Sequence, residues 1–321
     1  MLVKIFKSNG IGQFVFFAVA ALLLWGRSIV SPPEVVGYDG FAPLYEWLYR
    51  LLVDHTRLAT LLALVLTVVE SLCVSNLLYN YKLVGQNSLL PALLYLTMMG
   101  CDSAQQTLTP HLIVNGLLLF YLDRVMLLGV PNLHHSNIFD SSAAIALAAM
   151  FYSPALLLLV PHFVVLAMYK QYSWRDWAVM LLGFMAPTIL LALVLLLGND
   201  MGHALFLLDY DITSPRVTMG HDTTLHMVTN GLMCLLLLVA LAAYPATTSD
   251  LAADSKKDAA ILAVTLVYGA TQLLYTQLFP VDIQLVAPAF AFVLNGLLIG
   301  GRRRLWIYDL TLVIFLLTAI L

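Results

Sequence analysis

The sequence predicts an all-α, polytopic membrane protein of about 11 transmembrane helices. Apolar residues make up 61% of the chain and charged residues only 10%, whereas soluble domains carry roughly 25% charged residues. The apolar stretches follow one another almost end to end, which gives a mean hydropathy of +0.91. Long runs such as 178–198 and 305–321 lack the alternation of barrel strands. Because backbone groups in hydrocarbon must be paired internally, the spans are predicted to be helices.

Each predicted span is an apolar stretch, and a full crossing needs about 20 residues. In chain order the stretches are 11–30, 57–79, 88–101, 108–122, 139–152, 154–169, 175–198, 223–244, 258–278, 283–300 and 305–321. Three of them, 88–101, 108–122 and 139–152, are short for a full crossing. Short helices of this kind are tolerated beside protein or a water-filled cavity. We expect these three to lie beside a cavity that is open to the outer side of the membrane. For 88–122, two crossings and a dipping helix pair stay open as alternatives.

Lysine and arginine residues are distributed unequally between the gaps that separate these spans. One side holds Lys4, Lys7, Lys82, Arg124, Lys170, Arg175, Lys256, Lys257, Arg302, Arg303 and Arg304. The other side holds Arg27, Arg50, Arg57 and Arg216. Since excess Lys and Arg mark the cytoplasmic side, the N-terminus is predicted to be cytoplasmic and the C-terminus external. Treating 139–169 as a single crossing would weaken this asymmetry, so two crossings are favoured there.

The longest predicted cytoplasmic loop, 245–257, is polar and rich in small residues, which is typical of a flexible segment. It divides the chain into an N-terminal membrane module, 1–244, and a C-terminal segment of three membrane helices, 258–321. Two predicted external loops within the first module, 31–56 and 199–222, are long enough to carry function.

The 31–56 loop is predicted to contain a helix that lies in the plane of the membrane interface. Its apolar residues between Leu44 and Leu52 follow helical spacing, with polar residues elsewhere on the wheel. In the 199–222 loop, the stretch 204–208 is apolar enough for a second short interfacial helix. Both loops would therefore lie against the outer surface of the bundle.

The candidate catalytic residue is Asp39, which stands in Gly37-Tyr38-Asp39-Gly40 between the first span and the interfacial helix. A carboxylate here could act as general base on an acceptor that attacks a lipid-linked donor. The alternative is an Asp in a glycine-rich turn that caps the following helix. The candidates for substrate binding are Arg50, Asp102, His203 and Arg216, of which Arg216 follows Ser-Pro and suits a phosphate.

Metal binding is not predicted. The 199–222 loop contains residue types that occur in divalent-metal sites, namely Asp209, Asp211, His221 and Asp222. Asp-x-Asp is nevertheless common, and the last two stand where a helix N-cap is expected, so a solvated loop is favoured. His134 and His135 are predicted to lie in a cytoplasmic loop and, being adjacent, to point in different directions. No cofactor is therefore expected. The Asp and His residues of the 199–222 loop would suit a divalent metal, but their pattern does not support one.

Two polar residues, Glu70 and His162, lie at similar depth within predicted spans. An ionisable group in hydrocarbon indicates function by default, since an unpaired charge at the bilayer centre costs about 2.5–3.5 kcal/mol. His162 is a candidate partner for Glu70. A hydrogen-bonded structural glutamate is the favoured interpretation, because a proton relay needs several such groups.

Several stretches of the chain carry a resemblance to a known family. They are the start KIFKSN at 4–9, NSLLPALLYLTMM at 87–99, Thr109-Pro110, DSSAAIALAAMFYSPALLLL at 140–159 and YSWRDW at 172–177. With these residues the chain is similar to an uncharacterised multi-span inner-membrane protein family of Bacteroidota. That resemblance implies a multi-pass protein of the bacterial inner (cytoplasmic) membrane, and it brings no activity with it.

More remotely, the layout resembles the GT-C membrane glycosyltransferases, which use polyprenyl-phosphate sugars. In that family a first external loop with an acidic residue and interfacial helices precedes short paired helices and an Ala-rich segment. The corresponding parts here are the 31–56 loop, Asp39 and 143–160. The chain lacks the paired Asp-Glu of that family in its first loop, so a non-catalytic relative is an open alternative.

Three functions follow from these observations. The first is a GT-C-like glycosyltransferase, active or degenerate, that uses a polyprenyl-phosphate-linked sugar at the outer face of the inner membrane. The second is a non-enzymatic integral membrane subunit of a cell-envelope assembly. The third is a transporter or flippase coupled through Glu70 and His162, which the lack of inverted repeats disfavours. Expected partners are membrane lipids, the sugar donor and other envelope proteins, whereas nucleic acid is not expected, since a net charge of -3 gives no indication of it.

Overall fold

The fold was determined as a computed structural model. It describes residues 11–38, 40–81, 88–100, 106–129, 134–169, 173–198 and 200–205, together with positions 207, 287, 288 and 291. The predicted 245–257 loop and nearly all of the predicted 258–321 segment lie outside the described residues. The fold given below is therefore that of the N-terminal module up to residue 205.

All regular secondary structure in the described part of the chain is helical, which confirms the predicted all-α class. The α-helices are α1 (Ile11–Val30), α2 (Pro43–Leu52), α3 (Thr56–Asn80), α4 (Leu90–Met99), α5 (Pro110–Met126), α6 (His134–Phe151), α7 (Leu159–Met168) and α8 (Trp174–Leu197). Two 3-10 helices, Leu127–Gly129 and Ser153–Leu158, follow α5 and α6. Residues 201–205 form a further helical turn.

Four of these helices are long and apolar enough to cross a membrane: α1, α3, α5 and α8. On α8, much of the apolar surface faces outward, and Leu190, Leu193 and Leu197 are 68%, 57% and 82% exposed. A helix with an unpaired apolar face of this kind suits contact with lipid. The described structure is thus compatible with a membrane protein.

Proline and polar caps define where the shorter helices begin. Pro43, Pro91, Pro110 and Pro154 each stand in the first turn of their helix, where the missing N–H would have no partner anyway. Before α5, the Thr109 side chain accepts a hydrogen bond from the backbone N–H of the third helical residue at 3.2 Å. These starts explain why the apolar stretches after residue 88 divide into separate short helices.

Helix α4 lies at the centre of the bundle. Every residue from Leu90 to Met99 is buried, as expected of a helix that is apolar on all sides and surrounded by others. It packs on α3, where the Ser75 hydroxyl donates to the carbonyl oxygen of Ser88 at 2.7 Å. The α4 helix is therefore an internal element with no face left for lipid.

Helix α4 and the described residues on either side of it lie along α1. At one end, the backbone N–H of Leu89 donates to Gln13 Oε1 at 3.3 Å. Towards the other end, Gln106 Nε2 donates to the carbonyl oxygens of Leu24 at 3.2 Å and Gly100 at 2.8 Å. The Ser28 hydroxyl, in the last turns of α1, donates to Gln106 Oε1 at 2.5 Å. The described residues of 88–106 thus contact α1 at positions from Gln13 to Ser28, and a membrane crossing by this part of the chain stays a prediction.

Helix α6 packs between α5 and α8, and its contact with α8 is very close. At Gly183 in α8, a Cβ atom would come within 2.5 Å of the carbonyl oxygen of Phe139 in α6. Small residues at helix interfaces allow backbones to approach in this way within membranes. Glycine at position 183 is therefore required by the distance between the two helices.

Candidate functional site

The end of the bundle that α2 covers, called here the α2 end, brings together four polar and aromatic side chains. They are Tyr38, His111, Tyr152 and Ser153, and we refer to them as the outer cluster. The Tyr38 hydroxyl lies 3.4 Å from Ser153 Oγ. The Tyr152 ring packs edge-on against the rings of Tyr38 and His111, with centroid separations of 5.4 and 4.6 Å. An imidazole and two hydroxyl groups therefore lie at the start of α5 and just after α6.

Tyr45 in α2 connects two segments of the chain at the α2 end through its hydroxyl group. Its hydroxyl lies 2.6 Å from the carbonyl oxygen of Val36 and 2.9 Å from that of Leu108. The side chain is 1% exposed. Burial raises the pKa of the Tyr45 phenol above its ordinary value, and the nearby Tyr49 adds to the rise. The neutral hydroxyl thus ties the loop before α2 to the residue that precedes the α5 cap.

A small apolar cluster continues the α2 end towards the start of the second predicted external loop. It consists of Met150, Leu191, Leu195 and Ala204, with Phe41, Leu44, Leu147 and Met201 packed against it. Segments from the predicted 31–56 and 199–222 loops therefore meet over the ends of α6 and α8. This agrees with the expectation that both loops lie on the same surface of the bundle.

The helix predicted in the 31–56 loop is present as α2, whose first residue is Pro43, and its position at a membrane interface stays a prediction. Among the substrate-binding candidates, Arg50 in α2 is exposed and forms an ion pair with Glu46 one turn earlier. His203 is exposed in the short helical turn at 201–205. Neither residue belongs to the outer cluster.

The remaining predicted site residues lie outside the described part of the chain. They are the catalytic candidate Asp39, the substrate-binding candidates Asp102 and Arg216, and the loop residues Asp209, Asp211, His221 and Asp222. Tyr38, which precedes Asp39 in sequence, is described and belongs to the outer cluster. Gly37 is also described and lies against the Tyr49 ring, where an added Cβ would be 3.6 Å from Cζ.

Glu70 is buried inside the bundle, with 4% of its surface exposed. Its Oε2 accepts a hydrogen bond from the Tyr95 hydroxyl in α4 at 2.7 Å. Its Oε1 has no hydrogen bond of good geometry among the described residues and lies against Gly116, where an added Cβ would come within 2.8 Å. The glutamate therefore joins three helices at one internal point.

His162 is also fully buried, and both of its ring nitrogens have partners. The Tyr121 hydroxyl lies 3.2 Å from Nδ1, and Ser142 Oγ lies 3.2 Å from Nε2. Because the Ser142 hydroxyl already donates to the carbonyl oxygen of Ile138 at 2.7 Å, its oxygen must accept from Nε2–H. In the neutral imidazole, Nδ1 then accepts from the Tyr121 hydroxyl. The neutral imidazole is thus satisfied on both sides, and its described partners do not include Glu70.

At the opposite end of the bundle, the structure differs from the prediction for the adjacent histidines. His134 and His135 begin α6 instead of lying in a loop, and both imidazoles approach one carboxylate of α8. His134 Nε2 lies 2.9 Å and His135 Nε2 3.5 Å from Asp176 Oδ1. The expectation that neighbouring histidines point apart is wrong here, because the first turn of α6 turns both rings towards α8.

Sequence reasoning did not identify the partners of the interior polar groups or most of the outer cluster. Tyr95 and Tyr121 stand within apolar stretches, and a buried tyrosine needs a partner for its hydroxyl. This requirement could have predicted that each tyrosine lies opposite a polar side chain. His111 and Tyr152 could have been identified by their position in the sequence, because each stands beside a helix start that contains proline.

Comparison with known proteins does not extend these observations: no family model matches the chain, and neither the curated proteins nor the solved structures provide a match.

Proposed function

We propose that the chain is a GT-C-like membrane glycosyltransferase of the bacterial inner membrane. It would transfer a sugar from a polyprenyl-phosphate carrier to an acceptor at the outer face, with the reaction at the α2 end. One observation carries this proposal. The loop before α2 folds onto the bundle so that Tyr38, the neighbour of Asp39 in sequence, contacts Ser153 and Tyr152.

The proposed step is a displacement at the anomeric carbon. The acceptor oxygen forms a bond to that carbon, the bond from the carbon to the phosphate oxygen breaks, and polyprenyl phosphate leaves with the electron pair. Asp39 accepts the proton of the acceptor as general base. His111 and the Tyr38 hydroxyl, both half-buried, supply hydrogen bonds to sugar or phosphate oxygens, and the buried Ser153 holds the Tyr38 hydroxyl. Fixed polar contacts of this kind stabilise developing charge.

The leaving phosphate also needs positive charge nearby. In the described part of the chain, the predicted external cations are Arg27, Arg50 and Arg57, and all three are exposed. Arg50 is already paired with Glu46. Arg216, outside the described residues, is therefore the cation that this proposal assigns to the phosphate, since a guanidinium binds phosphate through two parallel hydrogen bonds.

The test replaces the proposed base while leaving its surroundings intact. Asp39→Asn is expected to abolish transfer of sugar from a polyprenyl-phosphate donor in isolated membranes, with an unchanged amount of protein. Asp54→Asn is the matched control, since Asp54 is an exposed acid in the same predicted loop. Equal transfer and an equal envelope glycan profile in wild type and both variants would reject the proposal.

A non-enzymatic membrane subunit is the second candidate, and the interior of the bundle favours it. Glu70 is held by Tyr95, and His162 is held between Tyr121 and Ser142. Polar groups fixed in this way suit a rigid scaffold and do not form the chain of titrating groups that a coupled transporter needs. Stoichiometric co-purification with other envelope proteins in mild detergent, together with normal function of Asp39→Asn, would support the subunit.

A further inference from the structure

The end of the bundle opposite α2 contains a cluster of metal-ligating side chains that the proposed function does not use. We propose that His134, His135 and Asp176 bind a divalent transition-metal ion of the Zn²⁺ type. Their ligand atoms, one from each residue, all lie within 4.8 Å of one another. Two imidazoles and one carboxylate are a ligand set that zinc adopts when one position stays open to water.

The distances between the ligand atoms are close to those that a metal ion requires. Ligands at about 2.0–2.1 Å from a tetrahedral zinc ion are about 3.3–3.4 Å apart. His134 Nε2 and His135 Nε2 lie 2.9 and 3.5 Å from Asp176 Oδ1. The third separation, between the two histidine nitrogens, is within 4.8 Å, so rotation of the histidine side chains about the fixed carboxylate would bring the three ligands to these distances.

The carboxylate is held in place independently of the histidines. Asp176 Oδ2 accepts hydrogen bonds from the hydroxyl of Ser173 at 2.5 Å and from its backbone N–H at 3.2 Å. The Ser173 side chain in turn caps α8 by accepting from the backbone N–H of Asp176 at 3.3 Å. A ligating carboxylate whose other oxygen is hydrogen-bonded is the usual arrangement around a protein-bound metal.

The exposure of these residues leaves the cluster open to a metal ion on one side, and the Asp176 carboxylate supplies negative charge. The Asp176 side chain is only 6% exposed, whereas the His135 side chain is 59% exposed. Water and metal can therefore reach the cluster from the His135 side, while the carboxylate stays shielded. Both α6 and α8 begin here, and because their N-terminal ends repel a cation, the Asp176 charge is the essential attraction.

The experiment uses the full chain, purified in detergent with a tag that contains no histidine. Zinc content is measured by elemental analysis after exposure to Zn²⁺ and removal of excess metal, and affinity by titration calorimetry. We expect a single site per chain that Mg²⁺ does not occupy, since imidazole ligands select transition metals. Thermal unfolding should occur at a higher temperature with Zn²⁺ than with a chelator, because an ion that binds only the folded chain stabilises it.

His135→Ala is the decisive variant, because the exposed ring can be removed without disturbing the buried contacts of Asp176. It is expected to weaken zinc binding by more than about 100-fold, and Ser173→Ala by about 10- to 100-fold as a loss of an outer hydrogen bond. His203→Ala removes another exposed histidine and should bind zinc like the wild type. Zinc that is bound by cysteines would remain in His135→Ala, so the zinc content of this variant is subtracted from that of the wild type.

Two outcomes would overturn this inference. The first is that the wild type retains no zinc above the level of His135→Ala. The second is that Zn²⁺ leaves the unfolding temperature of the wild type unchanged. Either result would mean that the three residues only form a hydrogen-bonded link between α6 and α8. Since the outer cluster is at the other end of the bundle, neither result bears on the proposed glycosyl transfer.

Discussion

The close contact between α6 and α8 can be tested by adding a single methyl group, in the variant Gly183→Ala. The added Cβ would lie 2.5 Å from the carbonyl oxygen of Phe139 and 3.0 Å from its Cα. Ordinary contacts begin near 3.4 Å, so the backbones must separate by about 0.9 Å, a shift typical of overpacking. Both opposing atoms belong to the backbone, and no side-chain rotation can relieve the contact.

The expected magnitude combines two opposing terms. Overpacking costs about 1–3 kcal/mol, while replacing glycine by alanine within a helix returns about 0.8–1.0 kcal/mol. Gly26→Ala in α1 isolates the second term, because nothing lies within 4 Å of the added Cβ there. The free energy of unfolding of Gly183→Ala should therefore be lower than that of Gly26→Ala by about 1–3 kcal/mol.

The assay is reversible unfolding of the detergent-solubilised chain by a denaturing detergent, followed by circular dichroism. The wild type, Gly26→Ala and Gly183→Ala are compared at the same lipid and detergent concentrations, so that only the added methyl group differs. If Gly183→Ala unfolds at the same midpoint as Gly26→Ala, the two helices are not in backbone contact at this position, and the reasoning is refuted.

Two further substitutions test hydrogen bonds at the centre and at the α2 end. Tyr95→Phe removes the hydroxyl that donates to the buried Glu70 and should lower the free energy of unfolding by about 1–3 kcal/mol. Tyr79→Phe, at a position 48% exposed, should leave it unchanged, and equal midpoints for the two variants would contradict the internal link. Tyr45→Phe should cost about 0.5–1.5 kcal/mol and speed proteolysis between residues 31 and 42, whereas Tyr49→Phe should do neither.

The positions of the long helices could be predicted from the sequence because hydropathy alone determines them. The predicted spans 57–79 and 175–198 agree with Thr56–Asn80 and Trp174–Leu197 to within one residue at each end. A long apolar run surrounded by polar residues has few alternatives, since its backbone groups must be paired internally. Helix α2 was predicted for a related reason, because its apolar residues repeat with the helical period.

The start of α6 could not be predicted, because tertiary contacts determine it. The residues His134 to Asn137 are polar, which is typical of a loop. The sequence therefore predicts that the helix begins at residue 139. In the structure it begins at His134, where the imidazole contacts Asp176 and the Asn137 side chain donates to the carbonyl oxygen of Leu127 at 3.1 Å. These partners are distant in sequence, and local patterns contain no information on them.

The partners of the interior polar residues were unpredictable for a similar reason. Glu70 and His162 stood out as polar groups at similar depth, which made each a natural partner for the other. Depth along the chain is set by hydropathy, but the direction in which a side chain points depends on how each helix is rotated about its axis. In α3 and α4, low amphipathicity leaves that rotation undetermined by the sequence. Packing then places Tyr95 opposite the glutamate.

The arrangement of buried groups limits where chemistry can take place in the described part of the chain. Because α4 is buried on all sides, the centre of the bundle is filled with protein. Inside it, Glu70 is hydrogen-bonded to Tyr95 through one oxygen, and His162 is hydrogen-bonded to Tyr121 and Ser142. Side chains that a ligand can approach lie instead at the two ends, where Tyr38 and His111 are half-buried at one and His135 is exposed at the other. A sugar donor and a metal ion would therefore bind at opposite ends, and the removal of either should leave binding of the other unchanged.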